Sequence, residues 1–293
     1  MVQSVSRRRS QRSLVVQRRP ASHVCGIELT SLAMKDVDVA IAAVEAGAAV
    51  VLRWFGAALE RVDKGAGDFA TTADLESEQA MLSVLRQQRP EDGLVGEETG
   101  RGGRSDARRI WLVDPLCGTL SYAVMTRLVA VNAALRDEAR FVAAAVGDPF
   151  DGTVLWADAD RAMRRAGGRD TPLIPSGRSG LVDLNLDPPF PSAPAFRAAR
   201  LASNPAFMER FKPRVVSSSI ALAWVATGQR AAYVTDGDVR DSVHFAAGLA
   251  LCEAAGCTLT DLHGGAFGLG SAGLVAAADA STHAVLIDII KRC

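Results

Sequence analysis

Aromatic residues are scarce in this chain: Phe, Trp and Tyr together make up 5% of 293 residues. A core must therefore be assembled mainly from Ala, Val and Leu. The balance of 48% hydrophobic and 23% charged residues describes a globular composition with ample interior. Net charge is also missing. Lys+Arg and Asp+Glu each total 33, so nothing global draws the chain to nucleic acid or an anionic membrane. No uninterrupted apolar run is long enough to span a bilayer. The cysteines (Cys25, Cys117, Cys252, Cys257 and Cys293) are odd in number, scattered and without a Cys-x-x-Cys pair. They argue against a disulfide framework or zinc knuckle and fit reduced thiols in a cytoplasmic protein.

Acids are absent from the start of the chain, where Arg7, Arg8, Arg9, Arg12, Arg18 and Arg19 precede the first one, Glu28. Residues 1–33 read as a disordered basic extension. A targeting peptide, or a start assigned upstream of Met34, are the alternatives.

From Met34 the apolar spacing Val37, Ile41, Val44, Ala48, Val51 and Phe55 predicts an amphipathic helix. A second helix is expected from about Asp74 to Arg89, with Leu75, Leu82 and Leu85 inward and a stop at Pro90 to Gly93. Leu94-Val95 reads as a short strand, Gly100 to Arg109 as a loop, and Ile110 to Val113 as an apolar strand ending on Asp114. Leu128 to Leu135, Phe141 to Val146 and Thr153 to Ala157 read as further strands, the last two joined by a turn at Asp148 to Gly152. An irregular region is expected after Gly167-Gly168, and a linker over Asp187 to Pro194. Beyond it come helix Ile220 to Thr227, strand Ala231 to Val234, helix Phe245 to Ala255, strand Gly273 to Ala277 and helix Thr282 to Ile290. Helices and strands in mixed order, without an internal repeat, predict a layered α+β fold. The expected organisation is an N-terminal half over 34–150 carrying the site and a C-terminal half over 151–293 completing it.

Gly96-Glu97-Glu98-Thr99 followed by Val113-Asp114-Pro115-Leu116-Cys117-Gly118-Thr119 carries the chemistry. Two acids closing one element and a third at the mouth of an apolar strand form a set of hard oxygen ligands. A Mg²⁺ ion sharing its other positions with water and phosphate asks for such a set. Alone, a Glu-Glu pair is more often a solvated turn. Thr71-x-x-Asp74 fits a helix capping box, with or without a catalytic role.

Together these strings resemble the inositol monophosphatase family, whose motif reads roughly Gly-Glu-Glu and then Asp-Pro-Ile/Leu-Asp-Gly-Thr. Gly67 to Asp74 resembles the same family's Asp-x-x-Thr-x-x-Asp segment, and the resemblance runs from about Met34 onward. It implies an αβαβα sandwich of the inositol monophosphatase/fructose bisphosphatase type, a homodimer, and Mg²⁺-dependent hydrolysis of a small phosphorylated substrate. By the same resemblance Glu97, Asp114 and the Leu116 carbonyl hold the first ion. Thr119 and Glu97 position the attacking water, and Asp74 supports Thr119. Gly118 and Thr119 cradle the phosphate. Ser217, Ser218, Asp236 and Asp241 are candidates for binding the rest of the substrate.

Two positions depart from the pattern. Cys117 stands where the family has a second aspartate, and His244, in Val243-His244-Phe245-Ala246-Ala247-Gly248, replaces the last metal-binding aspartate unless Asp241 slides into that role. The second ion thus loses most of its oxygen ligands. Three outcomes are open: an enzyme working with one Mg²⁺ and His244 as proton donor, a softer Cys/His/Asp/Glu set favouring Zn²⁺ or another transition metal such as Mn²⁺, or a catalytically degenerate protein that binds a phosphorylated ligand.

Overall fold

A computed structural model describes residues 34–65, 68–186, 197–237, 239, 242–267 and 273–293. The basic extension, the Asp187 to Pro194 linker and Asp241 lie outside the described residues.

Helix α1 (Asp36–Trp54) leads to a hairpin of β1 (Arg61–Gly65) and β2 (Asp68–Thr71), then to α2 (Thr72–Gln88). Strands β3 (Gly93–Gly96), β4 (Gly100–Gly103) and β5 (Arg109–Cys117), the short helix α3 (Thr119–Ala123), and strands β6 (Ala130–Asp137), β7 (Arg140–Gly147), β8 (Val154–Asp158), β9 (Ala162–Ala166) and β10 (Arg169–Pro172) follow. They form an eight-stranded sheet in the order β10-β9-β8-β7-β6-β5-β3-β4, antiparallel except for the β3/β5 pair. Strand β11 (Leu181–Asn185), helices α4 (Arg197–Leu201) and α5 (Pro205–Arg210), strand β12 (Lys212–Val215), helix α6 (Ile220–Ala226), strand β13 (Ala232–Thr235), helix α7 (Val243–Ala255), strands β14 (Thr258–Thr260) and β15 (Leu274–Ala277), and helix α8 (Ala280–Lys291) complete the chain. The second sheet has the order β12-β11-β13-β15-β14.

Alternation along the strands divides the interior into three cores. Trp111, Val113, Val131, Ala133 and Leu135 face α1 and α2, while Leu112, Ala130 and Ala134 face the layer of α6 and α7. In the second sheet Tyr233, Leu274 and Ala276 face that same helical layer, and Ala232, Val234, Val275 and Ala277 face α4, α5 and α8. Since successive strand side chains point to opposite faces, sheets covered on both sides read as continuous apolar runs. The result is the αβαβα layered sandwich expected from the motifs.

Three local expectations are corrected. Leu75 is 42% exposed, because the inward stripe of α2 is Asp74, Ser77, Glu78, Met81, Leu82 and Leu85. The polar half of that stripe faces the site, so apolar spacing alone misphases the helix. Gly100 to Gly103 is a strand paired with β3, although its glycines carry no strand propensity. Gly167-Gly168 is a hairpin turn between β9 and β10. Strand β1, for which the spacing predicts nothing, is exposed throughout, with Val62 its one apolar residue.

Candidate metal and phosphate site

Helix α2 supplies the floor of the site. Thr71 caps it, accepting from the Ala73 N–H, while Asp74 Oδ2 accepts from the Thr71 N–H and hydroxyl to complete a capping box. Asp74 Oδ1 remains free for Thr119, whose hydroxyl proton faces it at 2.8 Å and faces the Leu116 carbonyl oxygen at 3.1 Å. The capping and supporting roles of Asp74 therefore coexist, one on each carboxylate oxygen. Burial pushes the Asp74 carboxyl up, against the bonds from Thr71 and Thr119.

One turn further along, the Ser77 hydroxyl donates to the Pro115 carbonyl, and the buried Glu78 carboxylate accepts the N–H groups of Glu98 (2.8 Å) and Thr99 (2.9 Å). Glu78 thus folds the chain at the end of β3 and fixes where Glu97 and Glu98 emerge. Gly96 is required there, since a Cβ would lie 2.5 Å from the Glu78 carboxyl carbon. From β1, Lys64 Nζ reaches Glu97 Oε1 (3.1 Å) and Glu98 Oε1 (2.7 Å).

Asp114 and Cys117 are three apart, so a regular strand would point them to opposite faces. Between them β5 carries one extra residue relative to β6: Asp114 pairs with Asn132 and Cys117 with Ala130. This bulge contains Pro115, which has no N–H to give the ladder. It brings both side chains to one place. Asp114 Oδ2 lies 2.8 Å from His244 Nδ1 at the start of α7, and donor atoms of Asp114, Cys117 and His244 all lie within 4.8 Å of one another. Asp114 is fully buried, and its Oδ1 accepts the Leu116 N–H at 3.1 Å. Glu97 Oε2 is 3.8 Å from His244 Nδ1.

The sulfur of Cys117 accepts the Ser219 N–H at 3.1 Å, and the Ser219 hydroxyl accepts from Asn132 Nδ2 at 2.9 Å. Gly118 turns the chain into α3 with a φ of 108°, and a Cβ there would meet the Leu128 carbonyl oxygen at 2.7 Å.

The electrostatics are those of a site short of positive charge. Burial and the neighbouring Asp114 carboxylate push Glu97 up to about 8, even with Lys64 and His244 alongside. Glu97 Oε2 is buried without a hydrogen-bond partner. Burial disfavours charge on His244, but Asp114 outweighs it and raises the imidazole well above its usual value. Burial and Asp114 likewise push the Cys117 thiol up. An orphaned carboxylate oxygen beside a second buried carboxylate fits a divalent cation, which would offset the repulsion that the protein alone leaves in place.

The structure brings Asp74, Glu97, Asp114, Leu116, Cys117, Thr119 and His244 together through these bonds. Ser218 is next to them, but its hydroxyl donates to the Cys117 carbonyl at 3.0 Å and so braces the bulge. Ser217 is exposed. Asp236 is buried and accepts the Ala198 N–H, which ties it to α4. Lys64, Ser77, Glu78, Asn132 and Ser219 went unnoticed in the sequence. The spacing Asp74, Ser77, Glu78 on one helical face is the one signal that pointed to any of them.

A family model described as the inositol monophosphatase family matches residues 33–293. The inositol-1-monophosphatase of Caulobacter vibrioides is 31% identical over 174 residues, covering 57% of this chain and 66% of that protein. The inositol-1-monophosphatase of Mesorhizobium japonicum is 30% identical over 235 residues, covering 78% and 85%. Among solved structures, the extragenic suppressor protein SuhB of Bartonella henselae superposes with a TM-score of 0.74 at 21% identity, covering 87% of this chain and 98% of that one. With the acidic strand ends, the Asp74–Thr119 pair and the layered fold already in place, the match over 33–293 is decisive: the chain belongs to the inositol monophosphatase family.

Proposed function

We propose that this chain is a phosphomonoesterase that hydrolyses a small sugar, inositol or nucleotide phosphate by in-line attack of water, with Mg²⁺ as its cation. The observation that carries this reading is the Thr119 hydroxyl, half-buried and aimed at Asp74 Oδ1 beside the orphaned Glu97 Oε2. With its proton committed to Asp74, the Thr119 oxygen presents lone pairs to a water molecule. Glu97 offers a second acceptor for that water, so the two fix its orientation and draw its protons away from phosphorus.

Glu97, Asp114 and the Leu116 carbonyl are the oxygen set that would hold Mg²⁺. When bound, the ion supplies positive charge to the phosphoryl oxygens and makes water a better nucleophile. Asp74 keeps Thr119 in its rotamer, Glu78 keeps the Glu97 turn in place, and Gly118 makes the turn that sets Thr119 at the start of α3. The chain would act as a homodimer in the cytoplasm, on the family's pattern. Among the described residues no helix is long and apolar enough to cross a membrane. The balanced charge offers nucleic acid no general attraction.

The test is phosphate release from a panel of inositol, sugar and nucleotide monophosphates with Mg²⁺, Mn²⁺ or Zn²⁺. Turnover that needs a divalent ion and is lost in Thr119→Val supports the reading. Absence of release from every substrate with every ion overturns it and leaves a ligand-binding protein on the same fold.

A further inference from the structure

We infer that Asp114, Cys117 and His244 form a binding site for one thiophilic divalent ion of the zinc class, beside the oxygen-only position of Glu97, Asp114 and the Leu116 carbonyl. This rests on the reading of the Glu97–Asp114 cluster as a metal centre, but not on turnover.

Geometry gives the first argument. The β5 bulge serves no purpose in the ladder, since it interrupts pairing with β6 between Asp114 and Cys117. Its effect is to turn Cys117 to the side on which Asp114 and His244 already meet, so that sulfur, carboxylate and imidazole converge within 4.8 Å. These three come from a bulged strand and from the first turn of α7, two elements that pack into one core, where Cys117 and Phe245 both lie.

Donor chemistry gives the second. Magnesium takes oxygen ligands and avoids sulfur, whereas zinc accepts thiolate, imidazole and carboxylate together. Three protein ligands with one position left for water or substrate is the arrangement of a working zinc site rather than a closed structural one. Glu97 Oε2, buried without a hydrogen-bond partner, lies 3.8 Å from His244 Nδ1, next to this donor set.

The surroundings of the sulfur give the third. A cysteine that only filled space would need no donor, yet the Ser219 N–H points at Cys117 Sγ, and Asn132 pins Ser219 in turn. An N–H directed at sulfur fixes where the sulfur sits beside the cluster. Ser218 braces the same residue through its carbonyl. This outer support is what a ligating cysteine requires.

Cobalt(II) is the probe, because it takes zinc-like geometries and absorbs light where zinc does not. Titrating the full chain with Co²⁺ should give one equivalent of binding with a thiolate-to-cobalt charge-transfer band in the near ultraviolet. Zn²⁺ should abolish the band, and excess Mg²⁺ should leave it. Cys117→Ser should lose the band, while Cys257→Ser and Cys293→Ser keep it. His244→Asn, whose ring is partly exposed and least tied to folding, should weaken cobalt binding by about tenfold or more. Cobalt binding without a charge-transfer band, a band that survives in Cys117→Ser, or unchanged affinity in His244→Asn would overturn the inference. The outcomes separate the two readings: a band without phosphate release defeats the hydrolase and leaves this site standing. Release with Mg²⁺ but no band defeats this site and leaves the hydrolase.

Discussion

The Thr119 hydroxyl is bonded to Asp74 Oδ1 at 2.8 Å, while the other oxygen of the same carboxylate closes the capping box of α2. One buried acid thus ties helix formation to the orientation of a hydroxyl beside the acidic cluster. Thr119→Val should lower kcat by about 10²-fold to 10⁴-fold, the range of a lost proton-transfer partner. Thr119→Ser should retain most of the activity, and Mg²⁺ affinity should change little in either. Asp74→Asn should reduce kcat and also cost about 1 kcal/mol of stability through the weakened cap. Steady-state kinetics with a urea melt separate the two effects.

Glu78 and Gly96 set where the acidic turn emerges. In Gly96→Ala the new methyl meets the Glu78 carboxyl at 2.5 Å, so a buried group holding two N–H groups must move. A loss of about 1–3 kcal/mol is expected, with weaker metal binding because Glu97 is displaced. Glu78→Gln, which keeps the volume, should destabilise less but still lower activity. Melting curves beside metal titrations check both.

Far from the site, the fully buried Asp183 meets Arg230 at 2.7 Å, yet burial outweighs the guanidinium and pushes its carboxyl up to about 6. The unfolded value is about 3.9, so the folded chain holds this proton more tightly. Its contribution to stability is greatest below about pH 4 and is lost as pH rises to about 6. Arg230→Gln leaves an uncompensated buried carboxylate and should cost about 3–5 kcal/mol near neutrality. The deficit should shrink below about pH 5, where Asp183 is neutral in both proteins. Urea melts at the two pH values measure it.

Cys117→Asp tests how the departure from the family pattern sets metal preference. The added carboxylate should raise affinity for Mg²⁺ relative to Zn²⁺, and adding His244→Asp should raise it further by removing the remaining soft donor. Competition calorimetry with the two ions reads the shift. A preference unchanged in the double variant would mean these positions do not touch the ion.

Much of this was legible in the chain. Glycine, proline and apolar spacing mark the strand ends at Glu97 and Asp114 and the cap at Thr71-x-x-Asp74, while the roles given to Glu97, Asp114, Thr119 and Asp74 rest on the resemblance to the inositol monophosphatase family. Lys64 was not legible, since β1 is polar and wholly exposed and has no alternation to reveal it as a strand. Glu78 and Asn132 act through partners 20 and 87 residues away in sequence, a relation that only the packed layers create. The bulge was hidden for a different reason. Pro115 hints at interrupted pairing, but which face Cys117 then takes depends on the register with β6. The bond from the Ser218 hydroxyl to the Cys117 carbonyl, 101 residues away, likewise leaves no trace in the sequence.

If Glu97 and Asp114 hold a divalent cation, calorimetry of Mg²⁺ binding to the native chain and to Asp114→Asn should tell the two proteins apart. Asparagine preserves the volume of a fully buried side chain and removes its charge, so the fold should persist, as checked by circular dichroism, while Mg²⁺ binding is lost. Mg²⁺ affinity unchanged in a folded Asp114→Asn would mean that these carboxylates do not hold the ion.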